Sequence, residues 1–282
     1  MAIFCEMCYY IVMKNKKLVI LLSIFGALVL VILLTSTIFC VRNVSVNWLT
    51  TRQGLTALQD ESVVKSADVK MGKSIFLLKT EEIAENVERK YPRIKVVSIE
   101  RKFPNGVVIH VAEREELFSI KINDRLYAIV DSEGKVLETR TDYVSNESGE
   151  NPINVTLSNY LQGDDDFVVG YMIRSDRIRG IIQKLSTSLA ESHYNPMNAK
   201  GLFKSININL AYKSTLEFET RYGIQMKMLD LDNYLTEKMM VGIACYEVQQ
   251  KKCITSGKIV VAYTDANGVV AQFPVSEEEY EK

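Results

Sequence analysis

The nearest approach to a nucleotide site is Gly72-Lys73-Ser74. A phosphate-cradling loop needs a further glycine five places earlier, so that backbone N–H groups can close on the phosphates. Ala67 stands there, and the motif fails. Asp131 is followed three places later by Gly134. That spacing belongs to a turn, with Gly134 supplying backbone freedom, rather than to an acid catalyst. Glu217 is a second scattered carboxylate with no partner motif beside it. Gly163-Asp164-Asp165-Asp166 lacks the alternating ligands, internal glycine and final glutamate of a calcium loop, so it reads as solvated. The two histidines, His110 in a strand pattern and His193 in a polar stretch, build no metal site or proton relay. G-x-S-x-G, H-E-x-x-H and S-x-x-K with its partner motifs are all missing. Cys5, Cys8, Cys40, Cys245 and Cys253 have no zinc-binding spacing. Cys245 and Cys253 are either a disulfide across a helix-to-strand loop or two free thiols. Asn146-Glu147-Ser148 and Asn154-Val155-Thr156 fit a glycosylation tripeptide that is common by chance. The expectation is a chain that is not an enzyme and takes no cofactor or metal.

The elements must therefore carry the function. The chain has 282 residues, enough for one large or two ordinary domains. Lys+Arg is 34 against Asp+Glu 35, a net charge of -1, which argues against gripping nucleic acid by bulk charge. Charged residues at 24% and hydrophobic residues at 47% argue against wholesale disorder.

Leu18 to Val41 carries no charge. As a helix this run would be about 36 Å long, enough for a hydrocarbon core of about 30 Å. It is too long for the apolar region of a signal peptide. Phe39 before Cys40 is too large for a lipoprotein cleavage site. Lys14, Lys16 and Lys17 precede the run and only Arg42 follows closely. The expectation is an uncleaved single span, with residues 1–17 a cytoplasmic tail and everything after Val41 outside. The segment before Met13 is unusually apolar for such a tail, and Met13-Lys14-Asn15-Lys16-Lys17 reads as the more natural start of translation.

After the span, Val44 and Val46 alternate with polar residues in a short strand. Asp60 is expected to cap a helix running through Lys65. Thr80 is expected to cap a second, with Ile83, Ala84 and Val87 as its apolar stripe and Pro92 as its stop. Ile94–Arg101 and Val107–Glu113 read as strands joined by Lys102-Phe103-Pro104-Asn105-Gly106, with Val107, Ile109 and Val111 on one face. The order is strand, helix, helix, strand, strand. The set Gly72, Ile75, Phe76, Pro92, Ile94, Val97, Arg101, Pro104, Ile109, Val111, Glu113 and Arg114, placed directly after a lone span, resembles the POTRA module of the FtsQ/DivIB family of bacterial cell-division proteins.

Val130-Asp131-Ser132-Glu133-Gly134-Lys135-Val136-Leu137 reads as strand, turn, strand, and resembles the hairpin that opens the family's β domain. Thr139 to Asn151 reads as loop. Ile178, Ile181, Ile182, Leu185 and Leu189 define one face of a helix starting near Ser175. Period-two runs at Ile206-Ile208-Leu210, Leu216-Phe218 and Ile224-Met226-Met228 predict an antiparallel meander with one wet face. A helix is expected from Asp232 to about Cys245, its Lys238 reaching a backbone carbonyl. Lys258–Thr264 and Val269–Phe273, joined through Asn267-Gly268, form the closing hairpin. The fold class is α+β: one N-terminal transmembrane helix at 18–41, a POTRA domain at 42–115, a mostly antiparallel β domain with two flanking helices at 116–273, and an acidic tail at 274–282. The β domain from Arg114 onward is expected to fold by itself.

The last strand is uncharged until Pro274, although exposed edges are usually blunted by charge or proline. Either the tail folds back over it or a partner adds a strand. The resemblance implies the second, through Tyr263, Gly268, Val269, Val270, Ala271, Gln272 and Phe273, with Phe273 as an aromatic anchor. It implies a division scaffold at the septum of the cell membrane. Its partners would be small bitopic proteins of the FtsB/DivIC and FtsL types, and it would help recruit or regulate the septal peptidoglycan synthase. The alternative is a membrane-anchored POTRA protein of export or envelope assembly.

Overall fold

The computed structural model describes residues 16–161, 163, 165–191 and 196–273. The start near Met13, His193 and the acidic tail at 274–282 lie outside the described residues. The chain divides into two compact units, one formed by residues up to Val87 with Lys95–Glu113, the other by Glu88–Ile94 with Arg114–Lys282.

The first unit opens with helix α1, Lys16–Thr37, of 22 residues. Ile20, Leu21, Leu22, Ile24, Phe25 and Leu28 are all exposed on it, so no packing among the described residues accounts for its apolar surface. Among the described residues, which in α1 include side chains for 19–32, no helix is long and apolar enough to cross a membrane. The elements that follow are β1 (Asn43–Trp48), α2 (Asp60–Ser66), α3 (Thr80–Lys90), β2 (Ile94–Lys102) and β3 (Gly106–Glu113). Their order is the expected strand, helix, helix, strand, strand. The three-stranded sheet runs β1-β3-β2, with β1 parallel to β3. Val107, Ile109 and Val111 are buried on one face, as their alternation predicts. Ile83 and Val87 of α3, one helical turn apart, are buried as well. Each such aliphatic side chain removed from water contributes about 1.5–3 kcal/mol. Glu81 and Glu82 in the first turn of α3, and Arg89 and Lys90 in the last, complement the helix dipole.

Asp60 does not cap α2. The N-cap is Gln59, without a side-chain cap bond. Asp60 sits in the first turn, where its Oδ1 accepts a hydrogen bond from Trp48 Nε1 at 2.8 Å. A tertiary partner with a strong donor has outcompeted the local cap.

The second unit contains β4 (Phe118–Asn123), β5 (Leu126–Val130), β6 (Val136–Arg140), β7 (Ile153–Ser158), α4 (Asp176–Glu191), α5 (Pro196–Leu202), β8 (Phe203–Asn209), β9 (Thr215–Thr220), β10 (Ile224–Leu229), α6 (Leu235–Lys251), β11 (Gly257–Thr264) and β12 (Gly268–Gln272). They form one nine-stranded sheet, ordered β12-β11-β10-β9-β8-β7-β4-β5-β6. The meander β8-β9-β10 and the closing hairpin are antiparallel. The pairs β4–β7, β7–β8 and β10–β11 are parallel. Ile178, Ile181, Ile182, Leu185 and Leu189 of α4 are all buried, on the face their spacing defines. Leu235, Met239, Ile243 and Tyr246 do the same for α6. At Gly242 a Cβ would stand 2.8 Å from Met226 Sδ and 3.2 Å from Val261 Cγ2. The missing side chain lets α6 lie directly on β10 and β11.

Three features depart from the sequence reading. Strand β7 was not expected, and α5 is a third helix beside the two flanking helices expected. Helix α6 starts three residues later than expected and runs on to Lys251, because Tyr234 takes a left-handed conformation with φ 53°.

Candidate partner-binding edge

Strand β12 is the terminal strand of the large sheet. Val261 pairs with Ala271, Ala262 with Val270 and Tyr263 with Val269. Among the described residues no strand pairs with the other side of β12. The opposite end of the same sheet is treated differently. There β6 is flanked by backbone from the Gly170–Tyr171 turn, with Val136 N donating to Tyr171 O at 2.9 Å and Gly170 N to Val136 O at 2.8 Å. It also carries Glu138 and Arg140, which blunt it by charge. Strand β12, Gly-Val-Val-Ala-Gln, has neither device.

Val269, Ala271 and Phe273 pack against the main core, so the alternate residues Val270 and Gln272 face the other way. Gln272 is exposed and Val270 half-buried. Phe273 follows the strand, and its ring covers Gly257 at the start of β11. Gly257 has φ 129°, and a Cβ there would clash with Phe273 Cε2 and Cζ. The expected anchor ring is therefore engaged by its own domain. Gly268, at φ 69°, closes the turn. Thr264 Oγ1 accepts from Asn267 N at 3.3 Å.

Tyr263, near the turn, stacks on Tyr234 with ring centroids 4.4 Å apart and planes 8° apart. Both rings are exposed. The neighbouring Tyr234 phenol, the largest cause, raises the Tyr263 pKa above its ordinary 10.0. Sequence reasoning missed Tyr234, since no local spacing links it to Tyr263. The turn that presents Tyr234 is held by Lys238, whose side chain is buried. Its Nζ donates to Asp230 O and to Asn233 O, each at 2.6 Å. Burial lowers the pKa of this ammonium, and Asp230, Glu237 and Asp232 oppose that shift. The expectation of a carbonyl partner for Lys238 holds.

The remaining chemistry-bearing residues resolve into structure. Asp131 is buried, and its Oδ1 accepts from Glu133 N at 3.0 Å and Lys135 N at 2.8 Å, which makes it the turn residue expected. Its Oδ2 accepts from Arg114 Nη1 at 2.5 Å. Arg114 also reaches Glu133 at 2.7 Å and Glu88 at 3.0 Å, and Glu88 accepts from Lys135 Nζ at 2.6 Å. Burial alone would lower the Arg114 pKa, but the carboxylates, Asp131 foremost, outweigh it and raise it. Glu217 pairs with Lys227 at 3.0 Å. Asn146 is buried and donates to Lys200 O and Phe203 O, and Asn154 is buried too, so neither tripeptide presents its asparagine. Cys245 and Cys253 are free thiols. Among the described residues no group of His, Cys, Asp and Glu could hold a metal ion.

Comparison with known proteins agrees with this architecture. Residues 52–114 match the family described as POTRA domain, FtsQ-type. The chain is 31% identical over 114 residues to the cell division protein DivIB of Clostridium tetani, covering 40% of this chain and 42% of that protein. It is 34% identical over 110 residues to DivIB of Clostridium acetobutylicum, covering 38% and 42%. It is 33% identical over 81 residues to the cell division protein FtsQ of Streptomyces coelicolor, covering 29% and 30%. The matches span less than half the length of these relatives.

Proposed function

From its membership of the FtsQ/DivIB family, we propose that this chain is a non-enzymatic scaffold of bacterial cell division. In this reading α1 is the single membrane span, and it ends near Thr37 rather than at the expected Val41, because Cys40 and Val41 are buried in the first unit. The lysines at 14, 16 and 17 keep the N-terminus in the cytoplasm, and the POTRA and β domains stand outside the cell membrane at the division septum. The exposed apolar surface of α1 supports that reading, since lipid is the solvent in which it costs nothing. A partner of the FtsB/DivIC type adds a strand to β12, in complex with an FtsL-type protein, and the assembly recruits or regulates septal peptidoglycan synthesis.

The single observation that carries the partner site is the contrast between the two ends of one sheet. Edge β6 is covered and charged, while β12 is uncharged and, among the described residues, unpaired on its outer side. Backbone pairing would supply affinity, and the Tyr234–Tyr263 platform and Val270 would supply side-chain contact. A photo-cross-linking residue at Gln272 in the full chain tests this, with Glu219 on interior strand β9 as control. Capture of a small bitopic coiled-coil protein at Gln272 and not at Glu219 is the expected result. Capture at neither, in dividing cells, means that the site lies elsewhere.

A further inference from the structure

The chain leaves α1 at Thr37 and is at once hydrogen-bonded into the first unit. Ile75 N donates to Phe39 O, Val41 N to Lys73 O and Gly72 N to Val41 O, each at 2.8 Å. Arg42 N donates to Asn105 O at 2.9 Å. The tether therefore has no slack. The Gly72–Leu77 loop and the turn between β2 and β3 are held beside the five residues, 38–42, that follow the helix.

Those two loops carry large apolar side chains into solvent. Phe39, Phe76 and Phe103 form a triangle with ring centroids 5.5, 6.1 and 5.5 Å apart. Phe76 is 52% exposed, Phe103 55% and its neighbour Leu77 79%. A soluble surface does not usually gather such rings without a partner. Lys73 in the first loop, Lys70 just before it and Lys102 at the end of β2 are exposed and form no ion pair among the described residues. Lys70 and Lys73 also line a groove of about 240 Å³, together with Val41, Leu77, Leu78, Asp68 and Glu82.

We infer that this aromatic and basic end of the POTRA domain docks on the outer surface of the membrane in which α1 is anchored. The inference rests on the reading of α1 as a membrane span. Phe39 follows Thr37 by two residues, at most about 7 Å of chain. The headgroup zone is about 5–7 Å deep on each side of the hydrocarbon core. The three rings are therefore held at the boundary between headgroups and acyl chains, where apolar side chains of membrane-surface segments insert, and the lysines near the anionic lipid phosphates. The consequence is a POTRA domain fixed in height and tilt on the bilayer rather than swinging on a linker.

The test uses the full chain in phosphatidylcholine vesicles with phosphatidylglycerol as minority lipid, brominated high on the acyl chain. Trp48, the native tryptophan, is the internal reference. It ends β1, about 16 Å of extended chain beyond Asn43, so its emission should survive bromination. In Phe76→Trp, and separately in Phe103→Trp, the added emission should fall by about half or more. Omitting phosphatidylglycerol should weaken that quenching, and equal quenching without it removes the role given to the lysines. Flotation with the vesicles after an alkaline wash reports the span independently. A chain that floats while both added tryptophans stay unquenched overturns the docking and leaves the span standing. A chain that does not float overturns both.

Discussion

The ring of Phe273 lies across Gly257, closing the end of β12 onto the start of β11. This latch changes what a substitution at Phe273 measures. The ring packs against the domain core, so Phe273→Ala should lower stability by about 1–2 kcal/mol, with a loss of partner affinity that follows from a frayed β12. Gly257→Ala should be costly alone, because φ 129° is strained for alanine and its Cβ meets the ring. In the double variant the clash is gone, so the two costs should be less than additive. Thermal or urea unfolding of the four proteins checks this, and strict additivity would break the latch.

The second unit is discontinuous, and this bears on where it can be cut. Glu88, from the last turn of α3, pairs with both Arg114 and Lys135. Lys135 is 8% exposed at its side chain, so losing Glu88 strands that nearly buried cation, while Arg114 keeps Asp131 and Glu133. Breaking such a network by removing one partner costs about 3 kcal/mol or more. Glu88→Ala should therefore lower the unfolding midpoint of the second unit. A fragment starting at Arg114, which lacks Glu88, should be marginal rather than independently stable. Urea denaturation of both proteins checks this, and wild-type midpoints would mean that solvent replaces Glu88.

Much of the fold was legible because its signals are local. The stripe in α4, the alternation in β8 to β10 and the Asn-Gly hairpin each declare themselves within ten or so residues. Strand β7 did not, although Ile153, Val155 and Leu157 alternate with polar residues. It follows a polar stretch, and its parallel partners β4 and β8 lie far away in sequence. Of the candidate edge, only the lack of charge is visible in composition; Gly257 under Phe273 and Tyr234 against Tyr263 are tertiary meetings with no periodicity to reveal them. Glu88 carries no local sign of its pairing, because its cations Arg114 and Lys135 come from beyond the next hairpin.

A second ionic cluster gives the domain an acid-side slope. Glu138 pairs with Arg93 at 2.9 Å and with Arg140. Burial pushes its pKa up, but the two guanidinium groups outweigh this and hold it below its ordinary 4.5. A carboxyl depressed on folding adds stability that is present above its unfolded pKa and lost as pH falls through the folded one. Stability should thus decline below about pH 4.5, and Glu138→Gln should flatten part of that decline. Urea midpoints of the two proteins between neutral pH and acid check it, and parallel curves would remove Glu138 from the account.

The Tyr234–Tyr263 platform should be readable through its own titration. Tyr263 is raised above 10.0 with Tyr234 as the largest cause, and Tyr234 is held in its left-handed conformation next to the turn that Lys238 ties. Tyr234→Ala should move the Tyr263 titration back toward its ordinary range without unfolding the domain. Lys238→Met keeps the buried stem but gives up both bonds to Asp230 O and Asn233 O. Those carbonyls lie on exposed residues and can turn to water, so the stability cost should be small, about 1–2 kcal/mol. The turn that orients Tyr234 should loosen nonetheless, and the Tyr263 titration should shift in the same direction as in Tyr234→Ala. Carbon-labelled tyrosine NMR against pH follows both changes. If Lys238→Met leaves the Tyr263 titration at its wild-type position while Tyr234→Ala moves it, the stack does not depend on the lysine. The platform would then be set by Tyr234 and the helix start alone.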